Sequence, residues 1–180
     1  DKDYHGAVKT VRQGLTLEDD SHELDFYVLL GSSIDDLEEV ENALKVYDSA
    51  LLKYPNSQLL QLNKGITYMR LKKIDEAEDL FQQLLLRNPF YSSAHFRLGQ
   101  CALQRGQLVQ AMMCFYTYLI NYPDGPQSSL IIKLMGNLSK NTDDVKEVVN
   151  KRTEQPSGNY AMVEQIIVSG SLHVYVSESL

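Results

Sequence analysis

GITYMRLKKIDEAEDLFQQLLLRNPFYSSAHFRLGQCALQRGQLVQAMMCFYTYLINYP, residues 65–123, decides the fold. Within it, and backwards to Gly31, four columns of residues recur at one interval. Glycine stands at Gly31, Gly65 and Gly99, and alanine at Ala43, Ala77 and Ala111. An aromatic stands at Tyr47, Phe81 and Phe115, and proline at Pro55, Pro89 and Pro123. A leucine column, Leu51, Leu85 and Leu119, keeps the same step of 34 residues (65 − 31, 99 − 65). The chain has only 10 glycines and 5 prolines in 180 residues, so chance is a poor explanation for the agreement. A period between about 20 and 50 residues marks a stack of like units.

Inside each period the pattern is helical. In the second unit Leu59, Leu62, Ile66, Met69 and Leu71 suit one amphipathic helix. Ala77, Leu80, Phe81, Leu84 and Leu85 suit the next. Glycine in the first helix of a pair, and alanine in the second, allow close approach. The aromatic fills the space between neighbouring pairs. Proline just past the second helix disfavours helical geometry in the residue before it, so the chain turns there. These columns and their interval resemble the tetratricopeptide repeat family, whose unit is 34 residues long. The resemblance implies an all-α fold: a right-handed superhelical solenoid of antiparallel helix pairs whose first helices line a concave groove.

Taken in order, residues 1–21 read as a partial repeat, a lone second helix built on Ala7, Val8, Val11 and Leu15. The opening inside a repeat, with no initiator methionine, suggests a fragment or processed product. Three complete repeats follow at 24–57, 58–91 and 92–125, and Gly106 supplies the sharp turn between the helices of the third. Asp35 and Asp36 are expected at the start of a second helix, where the helix dipole favours carboxylates. Residues 126–157 form a degenerate repeat in which the glycine and alanine columns are lost. Its first helix is apolar on more than one face (Leu130, Ile131, Ile132, Leu134) and is expected to be buried on two sides. The array thus covers 1–157. Residues 158–180 read as a capping helix and a short non-helical tail in which Leu172, Val174 and Val176 alternate with polar residues.

Composition narrows the function. Hydrophobic residues make up 43% of the chain, enough for a continuous core, and no stretch of about 18 apolar residues could span a membrane. Between Arg12 and Lys45 there is no lysine or arginine but ten carboxylates, from Glu18 to Glu41, so one end of the array is acidic. A sequence pI of about 5.0 argues against nucleic acid as a partner. Cys101 and Cys114 match neither a metal-ligand nor a redox spacing, and leave the compartment open. His5, His22, His95 and His173 are far apart, with none paired on a helix turn as metal ligands. No phosphate-cradling glycine loop and no strained serine elbow occurs. Neither a catalytic site, a metal site nor a cofactor is therefore expected.

The resemblance implies a groove, and the register maps it. Its expected partner-binding residues are Leu62, Asn63, Ile66, Met69 and Arg70 in the second repeat, and Phe96, Arg97, Gln100, Leu103 and Gln104 in the third. One branch of the family grips terminal carboxylates with two lysines, two asparagines and an arginine. Only Asn63 and Arg97 match that pattern here, so a chaperone adaptor of that kind is disfavoured. The expected function is a non-catalytic scaffold that binds a protein or peptide through apolar anchors. The occupant could equally be the chain's own C-terminal tail or a second copy. The alternatives are a structural self-assembly module, or an accessory repeat region of a larger protein.

Overall fold

The structure, a computed structural model, describes residues 4–14 and 22–140. The second helix of the fourth repeat, the capping helix and the alternating tail fall outside the described residues. Eight helices are described: α1 (Tyr4–Gly14), α2 (Glu23–Asp36), α3 (Val40–Lys53), α4 (Gln58–Arg70), α5 (Ile74–Arg87), α6 (Ser92–Gln104), α7 (Leu108–Asn121) and α8 (Ser128–Lys140). The fold class is an all-α array of antiparallel helix pairs. The chain forms two compact units, Asp1–Cys101 and Ala102–Leu180, with the boundary inside α6.

In the first unit, glycine and aromatic columns meet as their spacing demands. A Cβ added at Gly65 would lie 2.5 Å from Cε1 of Phe81, and one at Gly31 would run into the Tyr47 ring. The aromatic therefore occupies the space where a side chain on the preceding helix would stand. Leu30, Ile34, Ala43, Tyr47, Ala50 and Leu60 form one buried cluster, joined by Val11 of α1. Leu62, Ala77, Phe81, Leu84, Ala94 and Cys101 form the next. In the second unit the buried residues include Val109, Ala111, Phe115, Tyr118 and Ile131.

The turns are copies of one another as well. After α3, α5 and α7 the amides of Tyr54, Asn88 and Tyr122 each donate 2.8 Å bonds to the carbonyls of Ala50, Leu84 and Tyr118. Proline follows each of these residues, and the helix cannot continue. Ser57 then caps α4, its hydroxyl accepting from the Leu60 amide at 3.3 Å. Within the pairs, the three-residue turns hold one residue in the left-handed region: Glu38 (φ 65°), Lys72 (φ 62°) and Gly106 (φ 68°). Glycine marks only the last of these, so the sequence announces one such turn where three exist.

Two expectations change. Asp35 and Asp36 close α2 instead of opening α3, because the turn 37–39 lies after them. They thus sit at the end of a helix that disfavours anions, and a cation from the next repeat meets them there. In the second unit, α8 buries Ile131 but leaves Leu130 and Ile132 exposed, so it is not covered on two sides among the described residues.

Candidate binding face

The first helices of the pairs carry the residues singled out by register. On α4, Leu62 is 7% exposed and belongs to the cluster around Phe81. Phe96 on α6 is 4% exposed. These two side chains of the expected apolar floor are therefore interior. Ile66 and Met69 pack against the same cluster but stay partly accessible. Asn63 is half-buried, and its carbonyl accepts the Thr67 hydroxyl at 3.1 Å. Leu103 and Gln104, at the end of α6, lie in the second unit, half-buried and exposed respectively.

Arg70 holds two neighbouring repeats together. Its Nη1 donates to the Asp35 carbonyl at 2.8 Å, its Nη2 to Asp36 Oδ1 at 3.0 Å, and its Nε lies 3.3 Å from Asp35 Oδ2. Burial pulls the guanidinium pKa down, but the Asp36 hydrogen bond and the two carboxylate charges outweigh it, and the net shift is upward. Asp35 is itself buried. Desolvation raises its pKa against the opposing charge of Arg70, and its Oδ1 has no hydrogen-bond partner among the described residues. The signal for this clamp was present in the sequence: Asp36 and Arg70 carry opposite charges one period apart.

Arg97 has a different environment. Its guanidinium lies 5.4 Å from the centroid of the Phe96 ring, and Nη1 donates to Gln100 Oε1 at 2.9 Å. No carboxylate lies within ion-pair distance of it among the described residues. Burial lowers its pKa, the Cys101 sulfur acts against that, and the nearby positive charge of Arg70 lowers it further. A desolvated cation held by one amide and one ring retains unused donors, since a guanidinium carries five N–H groups. On α6, Arg97 beside Gln100 is thus an under-neutralised positive charge, while Ile66 and Met69 are the partly accessible apolar side chains of α4.

Other candidate chemistry resolves into packing. His95 places Nε2 2.7 Å from the Pro89 carbonyl, which ties α6 to the turn before it. Glu23 accepts from Lys53 Nζ and from the Tyr54 hydroxyl, the latter at 2.6 Å, and these bonds hold its pKa down. Among the described residues no group of three or more His, Cys, Asp or Glu could hold a metal ion. Cys101 is buried and Cys114 half-buried.

A tetratricopeptide-repeat family model matches residues 62–126. Residues 62–126 thus read as tetratricopeptide repeats. WD and tetratricopeptide repeats protein 1 from mouse is 29% identical over 91 residues, 48% of this chain and 13% of the relative. The human protein of that name is 28% identical over the same length. The chain thus spans about an eighth of the curated relatives it matches. Among solved structures, a tetratricopeptide repeat protein from Parabacteroides merdae shares the fold with a TM-score of 0.63 at 18% identity, over 98% of this chain and 73% of its own. PcrH, solved with the chaperone binding region of PopB, gives 0.57 at 18% identity, over 67% and 97%. The second tetratricopeptide repeat domain of human RPAP3, solved with the HSP70 peptide SGPTIEEVD, gives 0.53 at 21%, over 74% and 98%.

Proposed function

We propose that this chain is a non-catalytic repeat scaffold that binds a protein or peptide segment on the face shared by α4 and α6. The ligand supplies apolar anchors for Ile66 and Met69 and a carboxylate for Arg97, while Asn63 and Gln100 offer amides to its backbone. Arg97 is the observation that carries this reading. A half-buried guanidinium without an anion is under-compensated, and a ligand carboxylate arriving there would form charge-assisted hydrogen bonds in a partly desolvated setting. PcrH and the RPAP3 domain, which share the fold, were each solved with a segment of another protein, and that supports the same general role. Leu62 and Phe96 act beneath this face as its support, and Arg70 frames it while holding α2 to α4. Leu103 and Gln104 belong to the second unit and are not part of the proposed face.

The test is selection from a random peptide library displayed on beads, with the purified chain as bait. The selected sequences should share an Asp or Glu beside large apolar residues. Arg97→Gln should weaken the selected peptides by tenfold or more, as loss of one partner of a desolvated pair does, and Ile66→Asp should abolish them. Selected peptides that bind both variants as well as the parent would overturn the assignment of the face. Substituting Leu62 or Phe96 would be uninformative, because both are core.

A further inference from the structure

The second helices of the pairs present the same positions outward but not the same chemistry. Residues 45, 79 and 113 are each exposed and one period apart, and they read Lys45, Asp79 and Met113. Residues 48, 82 and 116 are likewise exposed and read Asp48, Gln82 and Tyr116. On α7 the charge has gone: Leu108–Asn121 contains no acidic or basic residue. Met113 is 52% exposed, Tyr116 51% and Ile120 79%, and they follow one another at i, i+3 and i+7 along one face. Thr117, between them, donates its hydroxyl to the Met113 carbonyl at 2.8 Å, which reduces the polarity of the strip.

The geometry points to a second copy of this chain as the occupant, with α7 packed antiparallel against α7 about a twofold axis. Two features select it. First, the strip is self-complementary. Met113 and Ile120 are nearly equidistant from Tyr116, so a twofold axis there sets Met113 of each copy against Ile120 of the other, as an isologous interface requires. Second, the flanking charges are complementary in the antiparallel sense only. Arg105 stands three residues before α7 and Asp124 three residues after it, both exposed. Antiparallel pairing brings the Arg105 end of one copy to the Asp124 end of the other, whereas parallel pairing would set like beside like. The three apolar side chains offer roughly 400 Å² per copy, about half of one partner's share in a stable complex, so the dimer is weak and forms as concentration rises. The strip shares no residue with the α4–α6 face, so either reading can fail without the other.

Sedimentation equilibrium of the full chain, from micromolar to millimolar, tests the proposal. The mass should rise from one copy toward two. The variants to use are Met113→Lys and Tyr116→Asp, because α3 carries those residues at the same register and tolerates them. Each should weaken association about tenfold or more, with far-UV circular dichroism and melting temperature kept. Leu86→Asp, at the α5 position equivalent to Ile120, should leave it unchanged. Arg105→Asp should weaken the dimer, and Arg105→Asp combined with Asp124→Arg should restore it. A mass that stays at one copy throughout would overturn the proposal. So would association indifferent to Met113→Lys and Tyr116→Asp, and a double charge swap no stronger than the single variant would overturn the antiparallel pairing.

Discussion

Two successive repeat junctions in the first unit occupy equivalent places and use opposite chemistry. Where α2 and α3 meet α4, the period positions are Asp35, Tyr47, Thr67 and Arg70. Where α4 and α5 meet α6, the matching positions 69, 81 and 101 hold Met69, Phe81 and Cys101. One junction is a buried polar network and the other an apolar plug. The helices nevertheless stack in the same way, because glycine and aromatic interlock at both, Gly31 with Tyr47 and Gly65 with Phe81. Shape sets the stack, and the polar groups of the first junction are additions that must find partners. Most do: Arg70 reaches both aspartates, although one oxygen of Asp35 stays unsatisfied. Burial also raises the Tyr47 pKa, with Asp35 adding to the effect, which keeps the phenol neutral.

If the apolar plug is the stronger element, emptying it should cost most. Phe81→Ala removes a fully buried ring from the cluster of Leu62, Ala77 and Leu84, and a loss of about 3–5 kcal/mol is expected in urea unfolding. A loss below 1 kcal/mol would mean that the two junctions are not ranked by burial. The polar junction should respond less. Arg70→Met strips Asp35 and Asp36 of their cation, and about 1–3 kcal/mol should be lost. Because Arg70 is partly exposed, water replaces some of what it gave. Adding Asp35→Asn to Arg70→Met should recover part of the loss, and a double-mutant cycle measures that coupling.

The two junctions also differ in how legible they were. The apolar one was readable because its residues are the columns themselves, and periodicity reports packing directly. Fold class and helix pairing followed from the same signal. The polar junction is hidden in the sequence because Asp35 and Asp36 read as the start of α3, and a shift of a few residues at that boundary changes which helix terminus they meet. The candidate face was legible by register, since position in a repeat fixes which way a side chain points. Its depth was not: Leu62 and Phe96 lie where a groove floor would be expected, yet neighbouring helices enclose them. Register gives direction, whereas burial depends on what the next repeat places on top. That Arg97 lacks a carboxylate was equally invisible, because it depends on which other side chains reach it.

Titration offers a finer way to separate the junctions. The folded-state pKa of Asp35 is raised, chiefly by desolvation. A carboxyl whose folded pKa exceeds its unfolded value binds protons more tightly when folded. Its stabilising contribution is complete below the unfolded pKa and is lost as pH rises through the folded one. Glu23 runs the other way: its pKa is lowered by Lys53 and Tyr54, so its contribution is present above the unfolded pKa and lost as pH falls through the folded one. Comparing the parent with Asp35→Asn in urea isolates the first group. The stability of the parent relative to the variant should fall as pH rises from the unfolded Asp value towards neutrality. A relative stability that rises with pH instead would mean that Arg70 outweighs desolvation at this site.

The smallest effect concerns the turns beside each junction. Glu38 and Lys72 occupy a left-handed backbone conformation that Gly106 adopts without a side chain. A non-glycine residue there is strained by about 1–2 kcal/mol, while glycine gives back roughly 0.5–1 kcal/mol through the freedom of the unfolded chain. Lys72→Gly should therefore stabilise the protein by about 0.5–1 kcal/mol at most. Glu38→Gly should gain the same strain relief and something more, because it also removes a carboxylate from the turn that follows Asp35 and Asp36. The excess of the Glu38 gain over the Lys72 gain should shrink in high salt, where exposed charges are screened. Equal gains at all salt concentrations would confine the electrostatics of the first junction to the Arg70 contacts.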